Sequence, residues 1–153
     1  MNVEPPDPRF MELALKQAEL ALSAGEVPVG AVIVQDGRVL SAAHNRREEL
    51  HDPTAHAEIM AIREASRKTG NYRLGATTLY CTIEPCTMCA GAILHSRIRR
   101  LVFGAPDIRF GAAGSLYNLL TDPRFNHSVE VIRGIRDVEC TAILQNFFRP
   151  RRV

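Results

Sequence analysis

Two short fragments carry the side chains best suited to chemistry: His56-Ala57-Glu58 and Pro85-Cys86-Thr87-Met88-Cys89. Zinc favours imidazole and thiolate ligands in a tetrahedral array. Cys86 and Cys89 are three residues apart, so at a helix start both sulfurs point the same way. The partial positive charge at such an end favours thiolate over thiol. His56 falls near the start of the preceding helix, with a strand and its turn between the two fragments. Three protein ligands leave a fourth position open, which is the arrangement of a catalytic zinc site. There a metal lowers the pKa of its bound water from about 15.7 to about 7. Glu58 is placed to move protons beside that water without ligating the metal.

Each feature also has an ordinary reading. A lone C-x-x-C can be structural zinc, a redox pair or chance, and a Glu in a first helical turn complements the dipole. Together, with Pro85 before the first Cys, the fragments favour catalytic zinc. A structural site needs a fourth protein ligand, for which Cys81 is the nearest candidate, but it lies in a strand before the turn. Cys140 sits on an apolar helical face and reads as core.

The elements that must position these residues follow from periodicity and punctuation. Asp7-Pro8 reads as an N-cap and first turn. Met11, Leu15, Ala18 and Leu22 then mark an amphipathic helix that ends near Gly25. Val27 to Val34 is an apolar strand, Asp36-Gly37 a hairpin turn, and Arg38 to Ala43 the returning strand. Asn45 to Pro53 is polar and leads to Thr54 as an N-cap. A helix follows from Ala55 to about Lys68, stopped by Gly70-Asn71. Thr77 to Thr82 is a third strand and Cys86 to His95 a third helix. Arg100 to Gly104 is a fourth strand and Val129 to Ile132 a fifth. Leu116, Leu119 and Leu120 suggest a short helix between them. Val138 to Phe148 is the last helix. The alternation implies a mixed sheet with helices on both faces.

Composition sets the frame. The 153 residues fit one domain, 1–153, with 1–6 expected to fray and 149–153 forming a basic tail. Hydrophobic residues make up 46% and charged residues 24%, a globular balance. The net charge of +2 implies no polyanion partner by itself, so any nucleic-acid contact must come from local clusters. No apolar run approaches the roughly 18–20 residues of a membrane helix, and no secretory signal is visible. Four cysteines do not suggest a disulfide scaffold, and the cytoplasm is the expected location.

At the two fragments the sequence resembles the zinc-dependent nucleobase deaminases and their H-x-E…P-C-x-x-C pattern. The likeness extends to the bacterial tRNA-specific adenosine deaminase family. It is carried by Glu26-Val27-Pro28-Val29-Gly30-Ala31-Val32, His51 to Met60, Glu84 to Ala92, His95-Ser96-Arg97-Ile98, Gly111 to Leu116 and Phe147-Phe148-Arg149. The resemblance implies a cytidine deaminase-like three-layer α/β/α sandwich with a central five-stranded mixed sheet. It implies hydrolytic conversion of adenosine to inosine at the wobble position of a tRNA anticodon, by a homodimer with one zinc ion per subunit.

The roles it implies are specific. His56, Cys86 and Cys89 hold zinc, and zinc-activated water attacks C6 of adenine. Glu58 is general acid and base. Asn45 hydrogen-bonds the purine edge, the Ala57 N–H helps place the base, and Val29 forms an apolar wall. Asp107 contacts the RNA backbone. Phe148 wedges between bases, with Arg149, Arg151 and Arg152 near phosphates. Arg97, Arg99, Arg100 and Arg109 are expected to form a phosphate-facing patch, and Arg46 and Arg47 follow Asn45. The partner is a tRNA anticodon stem–loop, with no DNA or membrane partner expected. Gly111 to Leu120 is the expected dimer surface. Ile108-Arg109-Phe110 departs from the family's smaller, Lys-containing segment. A guanine, cytosine or nucleoside deaminase acting on a free small molecule is the competing reading; a non-catalytic zinc-stabilised RNA-binding module is a third.

Overall fold

The computed structural model describes residues 4–151, with the side chain of Arg151 not described. The expected fraying of residues 1–3 and the positions Arg152 and Val153 lie outside the described residues. Helix α1 (Pro8–Ser23) begins as the sequence requires: the Asp7 carboxylate accepts from the Arg9 N–H and Pro8 occupies the first turn. Glu4, just before it, is tied down, because its carbonyl accepts from the buried Arg100 guanidinium. Strands β1 (Gly30–Gln35) and β2 (Arg38–His44) form an antiparallel hairpin. Its corner is Asp36-Gly37, both at positive φ (51° and 74°), the backbone that a tight right-twisting hairpin demands. Strand β1 starts three residues later than the apolar pattern suggests, because Val27 and Val29 bond to each other in a tight turn ahead of it.

The remaining elements are α2 (Arg47–Leu50), α3 (Ala57–Thr69), β3 (Thr78–Ile83), α4 (Thr87–His95), β4 (Arg100–Ala105), β5 (Glu130–Arg133) and α5 (Asp137–Phe148). The strand order is β2-β1-β3-β4-β5, antiparallel through the first three and parallel through the last three. Helices α1 and α5 touch each other on the sheet, as do α3 and α4, giving a three-layer α/β/α arrangement around a five-stranded mixed sheet. Strands β1, β3 and β4 are almost wholly buried, as strands covered on both faces must be.

Two sequence expectations fail locally. Residues 47–50, read as irregular, form the short helix α2. The segment with Leu116, Leu119 and Leu120 is not helical; it turns back on itself through an isolated bridge between Ala113 and Asn118. Its backbone bonds run to Gly111 and Ala112 rather than along a helix, and only Leu120 is fully buried. Gly30 is needed for close packing, since a Cβ there would lie 1.9 Å from the Ala14 carbonyl of α1. Among the described residues no helix is long and apolar enough to cross a membrane.

Candidate metal centre and base pocket

Parallel strands β3 and β4 run toward one end of the sheet, where the N-termini of α3 and α4 also open. Ligand sites in such sheets form beyond the carboxyl ends of the strands. The N-cap of α3 is His56 and that of α4 is Cys86. Both have extended backbone, and neither side chain caps its own helix. Thr54, expected as the cap of α3, instead bonds to the Asp52 carboxylate through its hydroxyl and N–H. That turn delays the helix until His56 and leaves the imidazole free to face another element.

The imidazole faces the cysteines. His56 Nδ1 lies 3.7 Å from Cys86 Sγ and 3.6 Å from Cys89 Sγ. The three potential ligand atoms all fall within 4.8 Å of one another, and among the described residues this is the group of His, Cys, Asp and Glu able to hold a metal. Cys81 is buried in β3 and stands outside the group, as does Cys140, which is core.

The electrostatics fit a divalent cation. A hydrogen bond from Cys89 holds the Cys86 thiol down to about 4, with His56 adding to the effect against burial. The same hydrogen bond, with burial, pushes the Cys89 thiol far up. Two sulfurs this close cannot both be thiolates unaided. A cation shared between them removes the conflict, which is why metal binding releases protons. His56 is raised by its hydrogen bond with Cys86. Glu58, in the first turn of α3, is 2% exposed, and burial pushes its carboxyl up to about 7. It also interacts with Cys89 and His56, so it stands beside the cluster.

The next layer is built by Asn45 at the end of β2. Its Oδ1 accepts from the Ala57 N–H at 2.7 Å, and its own N–H donates to the Val29 carbonyl at 3.2 Å. Ala57, expected to offer its N–H to the base, thus already spends it on Asn45. Because a donor fixes the carboxamide oxygen toward Ala57, the Asn45 NH₂ is the group left to donate elsewhere. Val29 and Asn45 are both buried.

The expected RNA-side residues are more scattered. Asp107 is half-buried, and its carboxylate accepts from the N–H groups of Arg109 and Phe110. Phe147 is buried while Phe148 is 43% exposed, the two rings meeting edge-on at 5.1 Å. Arg149 is exposed. The supposed patch of Arg97, Arg99, Arg100 and Arg109 is not one surface. Arg100 is buried at the start of β4, bonded to Thr78 and Glu4. Arg109 follows the opposite end of that strand, which is about 16 Å long.

Two functional-looking residues received no role from sequence reasoning. Glu26, 2% exposed, accepts the N–H groups of Glu48 and Glu49 and so anchors α2 beside Asn45. Glu84, also 2% exposed, accepts from Asp107, Ala113 and Ser115. Burial would raise its carboxyl, but the Ser115 hydroxyl and the surrounding N–H donors hold it below the usual range.

Residues 5–105 match the family model described as the cytidine and deoxycytidylate deaminase zinc-binding region. A tRNA-specific adenosine deaminase of Streptococcus pyogenes is 51% identical over 143 residues, covering 94% of this chain and 90% of that one. The chain belongs to the tRNA-specific adenosine deaminase family. Within the family's fold, a solved structure from a study of A-to-I editing by tRNA:A34 deaminases at the wobble position superposes with a TM-score of 0.87 at 48% identity. It covers 90% of this chain and 100% of that one. A guanine deaminase structure from Bacillus subtilis is more distant in shape, with a TM-score of 0.65 at 37% identity over 72% of this chain and 71% of that one.

Proposed function

We propose that the chain hydrolyses adenosine to inosine at the first anticodon position of tRNA. The observation that carries the reaction type is the meeting of two helix starts, each with an uncapping side chain, at His56, Cys86 and Cys89, with Glu58 buried beside them. One imidazole and two thiols are the donor set of a catalytic zinc site, and one zinc ion per subunit is the stoichiometry proposed. When bound, zinc supplies Lewis acidity that makes water acidic enough to ionise near neutral pH. Glu58 takes the proton of the attacking water and delivers it to the ring nitrogen as oxygen bonds to C6. It then takes the remaining proton from the new C6 hydroxyl and passes it to the amino group; the bond from C6 to that amino nitrogen breaks as the C6 carbonyl forms, and ammonia leaves. Asn45 donates its NH₂ to the purine edge and Val29 walls the pocket. Ala57 acts through Asn45, by holding its oxygen.

The substrate assignment is supported by family membership and by the exposed Phe148 and Arg149, which offer a stacking face and a cation for a single-stranded loop. Asp107 is the proposed backbone contact. Incubation of the zinc-loaded protein with an anticodon stem–loop bearing adenine at the first position is expected to yield inosine. Its kcat/KM should fall steeply as salt rises, since phosphate contacts release counterions. Deamination of free guanine or cytosine, indifferent to salt, would favour the competing reading instead.

A second copy of the chain is the proposed partner for the exposed apolar side chains Leu116 and Tyr117, within the Gly111 to Leu120 segment. Sedimentation at micromolar concentration is expected to show a dimer; a monomer would contradict it. The four free cysteines fit a reducing cytoplasm.

A further inference from the structure

The loop of residues 107–115 follows β4 and lies against the turn that carries Cys86. Its inner side is held by one carboxylate. Glu84 Oε1 accepts from the Asp107 N–H at 3.1 Å and from the Ser115 hydroxyl at 2.5 Å. Glu84 Oε2 accepts from the N–H groups of Ala113 and Ser115, each at 3.0 Å. The next residue adds a fifth link, since the Pro85 carbonyl accepts from the Ala112 N–H at 2.8 Å. On the far side, the Arg133 guanidinium donates to the Ala113 carbonyl at 3.0 Å. Gly111 completes the fit, because a Cβ there would sit 2.4 Å from the Glu84 carboxylate and from the Asp107 carbonyl. The outer side of the same loop is exposed at Ile108 (80%) and Phe110 (65%), with Arg109 between them.

Burying a carboxylate is costly unless every lone pair finds a donor. Here the donors all come from one loop, so the charge can be buried only while that loop holds this shape. Two residues further along the chain is Cys86. We propose that Glu84 is a positioning residue for RNA: it fixes the 107–115 loop in register with the metal cluster, so that a nucleotide backbone gripped by the loop delivers its base to the pocket. This rests on the RNA reading above.

Glu84→Gln keeps the size but replaces an acceptor oxygen with a donor NH₂, which must face at least one N–H or O–H of the loop. In zinc-loaded protein, KM for the stem–loop is expected to rise about tenfold with kcat within about threefold, and zinc content unchanged. The same loss is expected in the dissociation constant measured by fluorescence anisotropy in a Glu58→Ala background, where turnover does not interfere. Ser115→Ala removes one exposed donor without threatening the fold, and is expected to move KM in the same direction by less. Glu84→Asp, which keeps the charge, is expected to recover part of the affinity. Unchanged KM and dissociation constant in both Glu84→Gln and Ser115→Ala, with only a lower melting temperature, would overturn the proposal. So would loss of zinc from Glu84→Gln, which would make it a support of the Cys86 turn instead. If Glu84→Gln does not fold, Ser115→Ala decides alone. Failure of the wild-type chain to bind the stem–loop would overturn the RNA reading itself, whereas wild-type binding with unaltered variants overturns only the role of Glu84.

Discussion

Glu58→Ala is expected to lower kcat on the stem–loop by at least about 10³-fold while zinc content and folded structure persist. General acid–base groups contribute about 10² to 10⁴ in rate, and this one is asked to move protons at both the attacking and the departing atom. Glu58 is buried, yet alanine is the better helix former, and removing a buried carboxylate relieves a desolvation cost. The melting temperature should therefore stay close to that of the wild type. Inosine is quantified by chromatography of the digested stem–loop, and metal by elemental analysis of the same sample. Retained turnover within tenfold would remove the proton-transfer role, and lost zinc would make Glu58 a ligand.

Cys89→Ser is expected to abolish metal binding as well as turnover, with zinc below about a tenth of the wild-type content. Cys89 is fully buried in the first turn of α4 and 3.6 Å from His56 Nδ1. A hydroxyl at that position does not ionise as a thiol does, so the compensation between cation and paired sulfurs is lost. Ligand-linked stability goes with it: a ligand present at about a thousand times its dissociation constant contributes about 4 kcal/mol. For a domain of this size that is about 10 °C in melting temperature. Chelation of the wild type is expected to reproduce the shift, and zinc added back to the chelated wild type, not to the variant, should reverse it. A variant that retains full zinc would show that the cluster is not the metal site.

The difference between what the sequence revealed and what it hid has a physical pattern. Spacing announced His56, Cys86 and Cys89, because ligand chemistry restricts residue types and a helix start restricts their directions. Asp7-Pro8, Asp36-Gly37 and Gly70 announced their caps and turns because each meets a local backbone requirement. Local rules misled where a neighbouring group took the partner first, or where a strand separated residues close in sequence. Thr54 has the chemistry of an N-cap, but Asp52 engages it first. Leu116, Leu119 and Leu120 have helical spacing, but the backbone there is claimed by Gly111 and Ala112. The arginines from Arg97 to Arg109 are close in sequence, yet a strand carries them to opposite ends of the sheet. Glu26 and Glu84 were silent because their partners lie more than twenty residues away and are mostly backbone N–H groups, which no sequence pattern displays.

The most direct test is to run the stem–loop reaction in water enriched in the heavy oxygen isotope, with zinc-loaded wild type beside Glu58→Ala. The expected product is inosine at the first anticodon position with the heavy oxygen at C6, formed by the wild type and not by the variant. Unlabelled inosine, no inosine at all, or equal labelling by Glu58→Ala would contradict hydrolysis at this centre.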